Sequence, residues 1–341
     1  MLLGYICPPG TPTVGNKNKA DWCFHECPHQ CVSPVLLGAM YDNERANHHI
    51  GTYISSSMLA GGGCARQTYY ERTRDYYETP ERMLWPFRGT IIHGVIEASH
   101  TVSDKYGWIQ EMRMAVPIHY PDEPAPILDT NGNFTGDFND NESLVVTLGG
   151  TCDAYNPFLP KPELHDFKSM SDKLCTEFLE NGKPKPDWIK QLNIYRWLIA
   201  HTLMPTDIAI SKYYPAPEVL VIQAISMMSL PATGRTSFGR IQVPGKTDRK
   251  GTFKIEAIPT MPLDEIEAFI RTEVYRWYRW LVLGEQPPVI EAERKWICFN
   301  CPFNGENDPN EPCWPTYERA QLAEGLLDDT AIDSTLLDDL L

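Results

Sequence analysis

Residues 149–170, GGTCDAYNPFLPKPELHDFKSM, decide how this chain is read. The run SLVVTLGGTCDAY (143–155) and the run ELHDFKSM (163–170) flank the Pro-punctuated connection NPFLPKP, and this pattern predicts two neighbouring strands. Alternate residues of a strand share a face. Asp166 and Lys168 therefore point into one space, and Asp153, near the end of the adjoining strand, can join them. Two hard carboxylates suit Mg²⁺ or Mn²⁺, cations that bind oxygen and keep several waters. A cation held there would activate water and neutralise charge on a phosphorane, with Lys168 orienting the nucleophile or steadying that charge. On its own an Asp-x-Lys pair is a weak signal and is more often a solvated surface ion pair.

Working outward, Ile91, Ile92, Val95 and Ile96 repeat at helical spacing after Pro86, which predicts a helix over residues 88–104. It carries His93 and Glu97 at i, i+4, an imidazole and a carboxylate that can ligate a cation or bond each other. Met112, Met114, Val116 and Ile118 alternate as in a strand, and residues 121–142 read as a turn-rich insertion. Beyond Pro186, the residues Trp188, Ile189, Leu192, Tyr195, Leu198 and Ile199 predict a second helix, with Gln191 and Tyr195 on its polar edge. Strands are expected at 207–215, 219–230 and 252–259. A long helix is expected at 263–283, entered through Pro262 and stopped by Gly284, Pro287 and Pro288. Helix, three strands, helix and further strands make an α/β domain with a mixed central sheet flanked by helices.

The order Gly89-x-x-x-His93, Gly150-x-x-Asp153, Asp166-x-Lys168-Ser169, Gln191-x-x-x-Tyr195 resembles the RecB-like nucleases of the PD-(D/E)xK superfamily, over roughly residues 55–313. The resemblance implies a restriction-endonuclease-like core and a Mg²⁺- or Mn²⁺-dependent deoxyribonuclease. The activity it implies is exonucleolytic, on single-stranded or frayed DNA ends, in recombination, repair or phage and mobile-element replication. It places His93, Asp153, Asp166 and the backbone carbonyl of Phe167 on the metal, Lys168 at the reaction, and Gln191 and Tyr195 on a DNA-contacting helix.

Ten cysteines without a secretory signal argue for metal or redox use over a disulfide framework. Cys298, Cys301 and Cys313 lie in residues 295–314, and Cys64 stands alone far upstream. Four thiolates can hold a [4Fe-4S] cluster or Zn²⁺. One distant cysteine plus three near the C-terminus resembles the iron-sulfur subgroup of these nucleases, which includes the CRISPR-associated exonucleases and the AddB nuclease domain. The resemblance implies a cluster that staples the nuclease domain. Cys152 and Cys175 read as buried or incidental thiols. Cys7, Cys23, Cys27 and Cys31, interleaved with His25 and His29, suggest a structural Zn²⁺ in a lead-in of some 35 residues that otherwise looks irregular rather than packed.

The net charge of -15 opposes approach to phosphate. Six of the acids, Glu324, Asp328, Asp329, Asp333, Asp338 and Asp339, belong to a terminal run with no basic residue, which fits a solvated tail that docks a protein partner. Arg235, Arg240, Lys246, Arg249 and Lys250 in residues 231–251 offer a basic face for nucleic acid, or simply a polar hairpin. The expected organisation is a Cys/His-rich segment (1–50), a nuclease domain (51–320) and an acidic tail (321–341). No run approaches the roughly 18 apolar residues of a membrane span, and the first residues lack a basic n-region, so an intracellular location is expected. The rival readings are a catalytically idle DNA-binding adaptor and an iron-sulfur redox enzyme, the latter without any dinucleotide fingerprint.

Overall fold

The computed structural model describes residues 2–7, 17–28, 32–47, 53–61, 63–98, 105–130, 132–170, 184–205, 213–226, 240–241, 249–250, 255–288, 301 and 303. In chain order the elements begin with β1 (Leu2–Ile6), β2 (Lys17–Lys19), α1 (Ala20–His25), α2 (Pro34–Asn47), β3 (Ile54–Ser55) and α3 (Ser56–Ala60). Next come α4 (Ala65–Thr73), β4 (Tyr76–Glu78), α5 (Pro80–Glu97), β5 (Ile109–Leu128), β6 (Phe134–Asn156) and β7 (Glu163–Met170). The rest are α6 (Pro186–Ala200), β8 (Val219–Ser226), β9 (Arg240–Ile241), β10 (Arg249–Lys250), β11 (Ile255–Ile258) and α7 (Leu263–Leu281). No described helix is long and apolar enough to cross a membrane.

The chain divides into two compact units: residues 1–50, 63–87 and 284–341 in one, residues 51–62 and 88–283 in the other. The first contains a three-stranded sheet, order β2-β1-β4, with β1 antiparallel to β2 and parallel to β4. Leu2, Tyr5, Leu37, Met40, Tyr70 and Tyr76 form its core together with Cys301 and Phe303. The lead-in is thus a packed layer, contrary to the sequence reading. Beside its nearby partner β2, β1 finds β4 some seventy residues on. Cys23 and Phe24 pack against the same core.

The second unit is the mixed α/β sheet expected, with helices against it. Strand order is β11-β8-β7-β6-β3, and β5 pairs along β6. The β7–β8 and β3–β6 pairs are parallel; β5–β6, β6–β7 and β8–β11 are antiparallel. Met112, Met114, Val116 and Ile118 are buried as their alternation predicts, facing a core that includes Leu148, Leu192, Leu198, Ile266 and Ile270. Asn193 is fully buried and fastens α6 to the entry of α7, donating to the Ile189 and Pro259 carbonyls at 2.9 and 3.1 Å and accepting from the Met261 amide at 2.8 Å.

Two expectations are corrected, and a third lies largely outside the described residues. Residues 121–142 do not form a turn-rich insertion: β5 and β6 continue as a two-stranded ribbon, with register shifts between Tyr120 and Leu128 that absorb Pro121 and Pro124. The helix expected from residue 88 begins at Pro80 and ends at Glu97, carrying Pro86 inside it. Of the strand expected at 207–215, residues 206–212 lie outside the described residues, and Tyr213 makes only an isolated bridge with Leu203.

In the first unit a cavity of about 330 Å³ is lined by Glu44, Glu71, Glu78, Tyr76 and Arg82. Burial pushes the Glu78 carboxyl from 4.5 up to about 7, against the pull of Arg82 at 2.7 Å, and burial also raises Glu71. A carboxyl raised in the folded state stabilises it fully below the unfolded value near 4.5 and loses that contribution as pH climbs through about 7. Thermal denaturation should therefore show this group's contribution falling between about pH 4.5 and 7, and Glu78→Gln should flatten that slope. An unchanged slope in that variant would contradict the assignment.

Candidate metal centre

The centre is built where the β6–β7 ladder parts. Ala154 pairs with His165, so the next step along both strands sets Asp153 beside Asp166. Instead of continuing the ladder, the Asp153 carboxylate accepts the Phe167 amide at 2.5 Å. Both carboxylates are buried, Asp153 at 6% and Asp166 at 3% exposure. Two such charges are tolerated together only with compensation.

Compensation comes from two sides. His93 on α5 places Nδ1 3.2 Å from Asp153 Oδ1 and 3.4 Å from Glu111 Oε1. These bonds, Asp153 first and Glu111 second, lift its pKa to about 10 against burial, so the imidazole holds its proton at neutral pH. Lys168 Nζ stands 2.9 Å from Asp166 Oδ2 and donates to Gln191 Oε1 at 2.8 Å. The Gln191 amide in turn donates to the Tyr195 hydroxyl at 3.0 Å. Burial pushes the Asp166 carboxyl up, while Lys168 pulls it down. Burial likewise raises the Tyr195 phenol, which also meets Ser56.

Glu111 is the residue the sequence reading missed. It lies on β5 opposite Asp153, between the pairs Gln110↔Ala154 and Met112↔Cys152, with φ 48°. A left-handed non-glycine residue costs on the order of 1–3 kcal/mol and persists only where its surroundings enforce it. Here the twist delivers a carboxylate to the site. Glu97, the acid expected beside His93, is exposed at the end of α5 and takes no part. Its helical spacing to His93 is real, but the strand supplies the partner. Among the described residues, only His93, Glu111 and Asp153 bring ligating atoms of three groups within 4.8 Å of one another.

The two glycines before Asp153 let other chains reach the strand. A Cβ on Gly150 would lie 2.6 Å from Ser56 Oγ and 2.9 Å from Tyr195 Cε1, and one on Gly149 would collide with the Tyr53 ring. The α3 and α6 side chains close over β6 through these gaps.

The remaining expected site residues fall elsewhere. Cys64 and Cys301 are buried, whereas Cys298 and Cys313 lie outside the described residues. Cys7 accepts a hydrogen bond from Asn18 at 3.1 Å, Cys23 and Cys27 are half-buried, and Cys31 lies outside the described residues. Cys7, Cys23, Cys27, Cys64, Cys152 and Cys301 form no disulfide. Burial keeps the Cys152 thiol protonated. Of the basic segment, Arg240 and Arg249–Lys250 belong to the antiparallel β9–β10 pair; Arg235 and Lys246 lie outside the described residues, as does the acidic run from Glu324.

No protein-family model and no curated protein matches the sequence. Solved structures overlap it at 16% identity. One is titled SSO0001, with a TM-score of 0.40, covering 79% of this chain and 92% of that one. Another is an alkaline exonuclease, LHK-Exo, from Laribacter hongkongensis, with a TM-score of 0.35 and coverages of 70% and 92%. The same exonuclease in complex with dAMP gives 0.34, 67% and 88%. Overlaps this shallow assign no activity.

Proposed function

We propose that the chain is a metal-dependent DNA nuclease of the PD-(D/E)xK type, RecB-like, working as an exonuclease on single-stranded or frayed DNA ends. One observation carries the reading: β5, β6, β7, α5 and α6 bring Glu111, His93, Lys168 and Gln191 around the buried pair Asp153 and Asp166. A surface ion pair would need none of this. A catalytically idle adaptor would have no use for so many charges held out of water.

The donors fit a divalent cation. Three carboxylates and one imidazole offer hard oxygen with one nitrogen, and Asp166 Oδ2, although near Lys168, accepts no well-aligned hydrogen bond. Asp153, Asp166, His93 and the Phe167 carbonyl would hold the cation, with Glu111 as a further ligand. When bound, it supplies an acidified water and positive charge for the scissile phosphate. Lys168, locked between Asp166 and Gln191, aims its ammonium at the same phosphate and steadies the charge that grows there. Tyr195 is buried and backs Gln191, so it positions the lysine at second hand.

The same proposal assigns a [4Fe-4S] cluster to Cys64, Cys298, Cys301 and Cys313, supported by the burial of Cys64 and Cys301 and by the resemblance. It assigns structural Zn²⁺ to Cys7, Cys23, Cys27 and Cys31. The basic residues Arg235, Arg240, Lys246, Arg249 and Lys250 would meet DNA, and the acidic tail would meet a protein partner. Anaerobically purified protein should be brown with about four iron atoms per chain. Colourless protein carrying zinc alone would remove the iron-sulfur part.

End-labelled single- and double-stranded DNA should be degraded with Mg²⁺ or Mn²⁺ and spared in EDTA. Asp166→Asn and Lys168→Ala should each lower turnover by about a hundredfold or more, with melting temperature retained. Wild-type turnover in either variant at matched metal would contradict the reading.

A further inference from the structure

Single exposed apolar side chains are ordinary. Two exposed aromatic residues whose backbones are tied to one buried asparagine are less so. Phe158 is 62% exposed and Tyr106 57% exposed, at the end of the sheet that carries Asp153 and Asp166. Asn156, fully buried, ties their backbones together: its Nδ2 donates to the Tyr106 carbonyl at 2.9 Å, and its Oδ1 accepts the Phe158 amide at 3.0 Å. Between them Gly107, at φ +75°, lies under the Phe158 ring, where a Cβ would come within 2.7 Å of Cδ2. Only glycine serves there, both for its backbone and for the space.

Two lysines stand beside the rings, with an exposed acid, Glu218, held by its amide to the Pro162 carbonyl at 2.8 Å in the β6–β7 connection. Lys105 Nζ sits 5.2 Å from the centre of the Tyr106 ring, and Lys161 is exposed in the same β6–β7 connection. The nearby acid Glu163 is engaged with His165 at 3.2 Å. Between Arg113 and Lys161 the sequence contains no lysine or arginine, so this end of the sheet is where a polyanion finds cations next to the strands of the site. Asn156 is three residues beyond Asp153, and Glu163 three before Asp166. At about 3.3 Å per residue Asn156, which anchors the rings, lies on the order of 10 Å along the strand from Asp153.

We propose that Tyr106 and Phe158 form a base-stacking platform for single-stranded nucleic acid that feeds the metal centre, with Lys105 and Lys161 on the backbone phosphates. The inference rests on the nuclease reading and names the surface that would receive its single-stranded substrate. Aromatic rings stack on any unpaired base, whereas a duplex hides its base faces. The lysines add sequence-independent, salt-sensitive attraction.

Fluorescence anisotropy in buffer without added divalent cations tests the platform, using a fluorescein-labelled oligo-dT and a blunt duplex of equal length. Tyr106→Ala with Phe158→Ala should weaken oligo-dT binding by about tenfold or more and leave duplex binding within about twofold. Tyr106→Phe should keep wild-type affinity. Because Phe158 also packs on Gly107, Phe158→Leu, which keeps bulk but not a ring, decides the matter if the alanine variant melts early: it should weaken oligo-dT binding at unchanged melting temperature. Lys105→Ala with Lys161→Ala should lower the salt slope of oligo-dT binding by about 1.4. Wild-type oligo-dT affinity in the ring variants, or an equal loss on duplex, would overturn the platform. Failure of the nuclease reading looks different, since protein that binds oligo-dT through the rings but cuts nothing keeps the platform and loses the enzyme.

Discussion

Asp153 and Asp166 sit side by side, nearly out of water, at the point where two strands stop pairing. Like charges so placed are unstable unless cations and donors surround them. His93 arrives from α5, Lys168 from the same strand as Asp166, and the Phe167 amide from the interrupted ladder. Each of these needs its own support: Gln191 and Tyr195 hold Lys168, and Gly150 gives Tyr195 room against β6. The α6 helix therefore lies where it does for two reasons, an apolar face to bury and a lysine to restrain. A left-handed backbone at Glu111 adds a third carboxylate to a place already crowded with charge, a donor set of the kind that suits a divalent cation.

Much of this was legible before any coordinates. The strand pair around NPFLPKP, the shared face of Asp166 and Lys168, and the helix bearing Gln191 and Tyr195 follow from periods of two and 3.6. What stayed hidden depends on partners far apart in sequence. Glu97 was the natural neighbour of His93 by helical spacing, yet the imidazole turns toward Glu111, whose approach needs both the β5–β6 register and a left-handed residue inside a strand. Neither leaves a mark in residue types. The Pro, Asn and Gly content of residues 121–142 reads as turns, but most of these residues lie in a ladder with register shifts. The packing of β1 and β2 was equally invisible, because β1 completes its sheet with β4 across a long stretch of chain.

Charge is distributed in a way that the total of -15 conceals. The β5–β6 ribbon bears Asp122, Glu123, Asp129, Asp137, Asp140 and Glu142 without a cation, which makes it a poor surface for DNA. Positive charge lies at the other end of the same strands, beside exposed rings. A chain acidic overall can still present phosphate with a short favourable path, since screening confines such effects to roughly 10 Å in physiological salt.

The central claim is that His93, Glu111, Asp153 and Asp166 hold a divalent cation. Because His93 keeps a proton between two carboxylates in the metal-free protein, cation binding must expel it. Titration calorimetry of Mn²⁺ into metal-free protein at pH 8, repeated in buffers of different ionisation enthalpy, measures this directly. The account predicts one site whose filling releases about one proton, with binding lost in Asp153→Asn and the proton release lost in His93→Gln. Mn²⁺ binding that releases no proton, or that survives intact in Asp153→Asn, would contradict it.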